Sequence, residues 1–325
     1  MERPNPPTMC GMGKASRTKQ APDRRARVAA QREAARRADQ RKRIYLAGGS
    51  IVAVIAIVVA FVLVKQNSTG SPSASASNGP TGAALTSLIN QTTSVPTSVL
   101  DQVGGGGSQV TATPITLNGG TPLTSGGKPE VLYMGAEYCP FCAAERWAMV
   151  VALSRFGTFS GLATTHSASK NGNGQAEVYP NTATWTFANA KYTSKYLTFT
   201  PVEMQTNIPD PSTGGYTNLQ TPTSAQQALM TKWDAPPYVP SNYQGAIPFI
   251  NFGNKYMISS ASYNPQVLAG KTWEQIAAAL HNPSSQIAQA INGTANYITA
   301  TICKLTGNQP ATACTSVVQS LQAKI

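Results

Sequence analysis

The sequence predicts an α/β domain carried on one membrane-spanning helix, and three stretches make that prediction. Val131–Phe156, VLYMGAEYCPFCAAERWAMVVALSRF, reads as a β-strand, a tight turn and a helix, with a Cys-x-x-Cys pair where the helix begins. Gly245–Ile258, GAIPFINFGNKYMI, reads as a β-hairpin with Ile247-Pro248 opening its first strand and Gly253-Asn254 at a two-residue turn. Ile44–Val64 is a run without any charge, bracketed by Arg41-Lys42-Arg43 and Lys65. At 1.5 Å per residue it spans roughly 31 Å, the thickness of a hydrocarbon core.

Taken in order, residues 1–43 form a basic tail in which 13 Lys/Arg stand against 4 Asp/Glu, out of 25 and 13 in the whole chain. The remainder is only mildly basic, so charge gives no case for nucleic-acid binding, and none is expected. The tail has no apolar stripe and reads as solvated. The Lys/Arg excess before Ile44 keeps the N-terminus cytoplasmic and places everything after Lys65 outside. A cleaved signal peptide is the rival reading. The long basic leader and the remote Ala74-Ser75-Ala76 argue instead for an uncleaved anchor in the cell membrane, so the lipid bilayer is an expected partner.

Residues 65–109 read as a flexible linker. Gln66–Pro80 is rich in Ser, Gly and Asn, Leu85, Leu88 and Ile89 hint at a short helix before Pro96, and Gly104–Gly107 marks a further break. The folded domain is expected over 110–325. Ile115–Leu117 suits a strand leading to the central one at Val131–Met134, after which Met149, Leu153 and Phe156 set a helical stripe. Gly161–His166, Trp185–Phe187 and Tyr196–Glu203 suit strands, Pro209–Pro222 a loop, and Ser224–Trp233 a helix capped by Thr223 or Ser224. Helices follow at Pro265–Ala269, Thr272–Leu280, from Ser284 or Ser285 to Cys303, and Thr315–Lys324.

The cysteines carry the chemistry. The first N–H groups of a helix lack partners and its N-terminus is partly positive, so Cys139 is expected to be the acidic, exposed thiol, with Cys142 one turn on able to form or resolve a disulfide. Pro140 suits the first turn, where its missing N–H costs nothing. Cys10 lies alone on the reducing side. Cys303 and Cys314 lie outside with the active pair and are expected to staple the last two helices, a loop closure worth about 2 to 3 kcal/mol. Glu137 and Glu145 read either as proton acceptors or as surface carboxylates favoured by the helix dipole. Trp147 and Met149 read as core or rim, and His166 and His281 make no metal site.

The strand, Ala136-Glu137-Tyr138-Cys139-Pro140-Phe141-Cys142, the helix and the later Ile247-Pro248 together resemble the thioredoxin-like superfamily. Closest is an uncharacterised family of membrane-anchored extracytoplasmic thioredoxin-like proteins of archaea and actinobacteria; Dsb-type disulfide oxidoreductases are more distant. The resemblance covers about Val110–Ile325. It implies a thioredoxin-like fold with a segment inserted between the Cys-x-x-Cys helix and the hairpin, since about 108 residues separate Pro140 from Pro248. It also implies that Pro248 is cis and faces the cysteines. Two positions depart from the pattern: Tyr133 stands where thioredoxins keep a buried carboxylate, and Phe141 stands where Dsb-type oxidases carry His.

The leading expectation is therefore an enzyme, a thiol–disulfide oxidoreductase in which Cys139 attacks, Cys142 resolves, and Ile247 with Pro248 presents backbone groups to the substrate chain. Its expected partners are protein thiols and disulfides and a membrane redox partner; no cofactor is called for. A binding or assembly module with a structural Cys139–Cys142 disulfide is the second reading. Zinc held by Cys139, Cys142, Cys303 and Cys314 is the third.

Overall fold

A computed structural model describes residues 79–325. It is a mixed α/β structure built on a six-stranded sheet. The sheet runs β1 (Ile115–Thr116), β12 (Tyr256–Ser259), β11 (Phe249–Phe252), β3 (Lys128–Gly135), β2 (Thr124–Ser125), with β8 (Thr198–Glu203) also on β3. The β3–β8 pair is parallel and the others are antiparallel. Both faces of the sheet are covered, which is why Val131–Met134 reads as a continuous apolar run rather than an alternation. Val131 and Tyr133 point into one core with Ile250, Phe252 and Ile258, whereas Leu132 and Met134 point into the other with Phe249 and Met257.

The larger core is closed by α3 (Pro140–Leu153) and α6 (Gln286–Leu305), the smaller by α4 (Ser224–Trp233) through Trp233. Every residue of α3 except Phe141 is buried. The segment between α3 and β11 supplies β8 and α4, together with three two-stranded sheets: β4 (Gly157–Ser160) with β7 (Lys191–Ser194), β5 (Ala163–His166) with β6 (Ala183–Thr186), and β9 (Gln205–Asp210) with β10 (Gly215–Asn218). The remaining helices of the C-terminal part are α5 (Trp273–Ala279), opened by a Thr272–Gln275 capping box, and α7 (Ser316–Leu321). Cys303 and Cys314 are joined in a disulfide.

Three expectations are corrected. The linker expected through residue 109 contains α1 (Gly82–Thr93) and α2 (Thr97–Val103), and Leu88 and Leu100 are each 1% exposed in the larger core. The packed domain therefore begins well before Val110. Pro209–Pro222, expected as a loop, holds the end of β9 and all of β10; its turn is made by Asp210, whose carboxylate accepts the Ser212 N–H at 2.9 Å. At the second hairpin Gly253 and Asn254 both take positive φ (61° and 56°), but the register pairs Phe252 with Tyr256, so three residues connect the strands instead of two. Among the described residues no helix is long and apolar enough to cross a membrane. The expected span at Ile44–Val64, the basic tail and Cys10 lie outside the described residues.

Candidate functional site

The chain leaves β3 at Gly135, turns through Ala136–Tyr138 and enters α3 with Cys139 as its N-cap residue and Pro140 in the first turn. The Cys139 backbone is extended (φ −76°, ψ 121°), and its sulfur accepts the Cys142 N–H at 3.3 Å, taking up one of the helix's otherwise unpaired donors. Across from it the Ile247-Pro248 peptide is cis, and the Ile247 carbonyl lies 3.7 Å from Cys139 Sγ, close enough to accept the thiol proton. Cys139, Cys142 and Ile247-Pro248, far apart in sequence, thus meet at one point. Cys139 and Cys142 are both free thiols.

Both sulfurs are buried, which corrects the expectation of an exposed Cys139: it is 5% exposed and Cys142 is 0%. The segment between α3 and β11 packs on the residues flanking Cys139. The Ala168 N–H donates to the Tyr138 carbonyl at 2.9 Å, Tyr216 of β10 stacks on Tyr138 with centroids 4.1 Å apart, and Tyr179 meets Phe141 edge-on at 6.1 Å. The Tyr216 hydroxyl is hydrogen-bonded to Glu177. These aromatic contacts close around the motif from strand β10 and from the loop that carries Tyr179, neither of which the sequence assigned to it.

The two thiols are electrostatically unequal. Burial works against a Cys139 thiolate, but hydrogen bonds from the Cys142 thiol and N–H, with the nearby Arg146 charge, hold Cys139 below its usual value. Burial drives Cys142 well up, and its hydrogen bond to Cys139 together with the Cys139 charge pushes it the same way. One sulfur is poised to ionise and the other to keep its proton.

Glu137 and Glu145 are not surface carboxylates: both are 0% exposed. Glu137 Oε1 accepts the Thr186 hydroxyl at 2.6 Å, and Oε2 has no partner. Glu145 accepts the Ser262 N–H at 2.8 Å and its hydroxyl at 3.1 Å, and burial pushes its carboxyl up to about 7. The sequence reading missed Arg146 and Glu203, which form a fully buried ion pair behind the cysteines, with Arg146 Nη2 to Glu203 Oε2 at 2.7 Å. The signal for Arg146 was its spacing, four residues after Cys142; Glu203 carried none. Tyr133 is buried with its hydroxyl unpartnered.

The four-cysteine zinc reading gains no support, because Cys303 and Cys314 are bonded to each other and not grouped with Cys139 and Cys142. Among the described residues no group of three or more His, Cys, Asp or Glu side chains is placed to hold a metal ion. His166 instead turns Nδ1 to the Ser167 carbonyl at 2.8 Å, and His281 turns Nε2 to the Gln91 carbonyl at 2.9 Å.

Fold and site together define an α/β protein with a buried, asymmetric dithiol at a helix N-terminus, opposed by a cis-proline loop. The chain belongs to the family described as a domain of unknown function (DUF929), whose profile matches residues 116–304. No curated protein and no solved structure matches it.

Proposed function

We propose that the chain is a membrane-anchored, extracytoplasmic thiol–disulfide oxidoreductase with a thioredoxin-like fold, working through Cys139-Pro140-Phe141-Cys142. The observation that carries this reading is the Cys139 sulfur at the cap of α3, donated to by the Cys142 N–H and 3.7 Å from the carbonyl before cis-Pro248. The Cys139 thiolate attacks one sulfur of a substrate disulfide, the substrate S–S bond breaks, and the departing sulfur takes up a proton. Cys142 then loses its proton and attacks the Cys139 sulfur, closing the internal disulfide and releasing the second substrate thiol. Overall the two thiols give up two electrons and two protons, which the substrate gains; the reverse sequence oxidises a substrate dithiol. Ile247 with Pro248 presents backbone groups to the bound chain.

The test is trapping. Cys142→Ser leaves Cys139 able to attack and unable to be released, so mixed disulfides with protein clients accumulate in the membrane fraction, and adding Cys139→Ser abolishes them. A Cys142→Ser protein that traps nothing, with Cys139 unreactive at neutral pH, overturns the reading. The burial of Cys139 favours the second reading, a binding module whose Cys139–Cys142 pair serves structure. The extracytoplasmic placement is tested separately by a reporter fused after Ile325, which should be active only outside the cytoplasm.

A further inference from the structure

Arg146 lies one turn beyond Cys142 and about two beyond Cys139 on α3, and it is completely buried. Its Nε donates to Glu203 Oε1 at 2.8 Å, and its Nη2 donates to Glu203 Oε2 and to the Ala136 carbonyl, both at 2.7 Å. Nη1 has no protein acceptor. Glu203 is fixed in turn. It pairs with Gly135 in the parallel β3–β8 register, at the strand end from which the chain enters the cysteine motif, and its Oε1 also accepts the Phe187 N–H at 3.2 Å.

The guanidinium carbon sits 5.9 Å from the centre of the Tyr133 ring, and Glu137 accepts the hydroxyl of Thr186, the residue before Phe187. The interior behind the dithiol therefore holds one cation and two carboxyl side chains. A buried ion pair of this kind is commonly no more stabilising than apolar side chains of the same volume. Fold stability alone gives no reason for placing a guanidinium here, two turns from an ionisable sulfur.

We propose that Arg146 is a buried cation that adds to the acidity of Cys139 beyond its hydrogen bonds with Cys142, and so shifts the reduction potential of the Cys139–Cys142 pair, while Glu203 is the counter-charge that moderates it. This rests on the reading of the pair as redox-active. A fixed positive charge favours the thiolate, and a stabilised thiolate favours the reduced form, making the pair a stronger oxidant. Glu203 acts in the opposite sense. Of the other groups around the pair, Tyr133 of β3, Tyr138 of the connection and Tyr216 of β10 all have hydroxyls raised by burial, so they add no charge at neutral pH. Two further carboxyls face the motif, Glu137 bonded to Thr186 and Glu177 bonded to the Tyr216 hydroxyl, while Glu145 is engaged with Ser262. Arg146 is a positioning residue in this scheme, acting through Cys139 without meeting substrate.

The experiment uses the purified full-length protein with Arg146→Met, Glu203→Gln and the double Arg146→Met/Glu203→Met. Cys139 ionisation is read from thiolate absorbance and alkylation rate against pH, and the potential from equilibration with a glutathione buffer. Arg146→Met should raise the Cys139 pKa by about one pH unit, slow alkylation at neutral pH severalfold, and make the pair more reducing. Glu203→Gln should move both readouts the other way, and the double variant should fall between them. Opposite signs are what a merely structural role does not produce. If Arg146→Met fails to fold, Glu203→Gln carries the test, because it keeps the size, an acceptor oxygen and Arg146 itself; unchanged titration there overturns the proposal. Shifts of the same sign in both single variants also overturn it. None of these readouts needs a client protein, so failure here leaves the oxidoreductase reading standing, and failure of Cys142→Ser to trap clients leaves the charge assignment standing.

Discussion

Glu145 shows what burial does to a single residue on the helix that carries the cysteines. Its carboxyl is pushed up to about 7 by desolvation, against hydrogen bonds from Ser262 that favour the anion. An unfolded glutamate loses its proton near the ordinary value of 4.5, so between that pH and about 7 the folded state holds a proton that the unfolded state has released. The contribution to stability is thus fully present below about 4.5 and is lost as pH rises through 7, an effect on the order of 3 kcal/mol. Glu145→Gln should flatten the fall of the melting temperature between pH 5 and pH 8. It should not abolish the fall, because burial also pushes the Asp234 carboxyl up, to about 6. Identical pH profiles for the two proteins would sink this account. The cysteine motif and Ile247-Pro248 were legible because turn chemistry, helix start and cysteine spacing are local signals. Glu137, Glu145 and Arg146 were not legible as buried groups. Charged residues near a helix start normally face water, and only the packing of α6, β6, α1 and the Pro265–Leu268 turn against α3, with Ser262 and Glu203 as partners, removes Glu145 and Arg146 from it.

At the scale of elements, the strands of the central sheet and the helices with good caps could be read directly, as with Thr223 and Gln226 closing a capping box on α4. The pairs β4–β7 and β9–β10 could not. Their strands are short and polar, and β4 finds its partner about 30 residues away, so no alternation or turn residue announces the pairing. Contact between elements also explains glycines that look wasteful in sequence. Gly293 sits inside α6, where alanine is normally preferred by about 1 kcal/mol. A Cβ there would meet the Cα of Gly106 at 2.6 Å and its N at 2.8 Å, backbone atoms that have no way to rotate aside. Gly293→Ala should therefore lower stability by about 1 to 3 kcal/mol despite the better helix propensity, read as the midpoint of urea unfolding. A gain in stability would show that the 104–107 segment does not rest on α6 as it does here.

At the scale of the whole molecule, the boundary of the folded unit is where the sequence misled, and it is also where a prediction is most direct. The Gly run at 104–107 and the two short helices before it look like linker, and the family match begins only at residue 116. Nothing local marks α1 and α2 as part of the domain, since their apolar residues are few and become informative only once their partners are known. In the folded protein Leu88 and Leu100 lie in the larger core, and Asn296 of α6 donates to the carbonyls of Leu100 and Gly104 at 2.7 and 2.8 Å. The Thr315 hydroxyl, which caps α7, donates to Asp101 at 2.8 Å. Removing residues 1–109 would uncover the core beneath both leucines, a loss on the order of 3 to 6 kcal/mol from those two side chains. It would also leave the buried Asn296 amide without its two acceptors, which costs about 1 to 3 kcal/mol more. Total stabilities of single domains are only about 5 to 15 kcal/mol. A chain beginning at Val110 should therefore be aggregation-prone or melt far below one beginning at Gly79, with circular dichroism melts of the two as the comparison. Equal melting temperatures would mean that α1 and α2 are dispensable, and that the domain begins where the sequence alone had placed it.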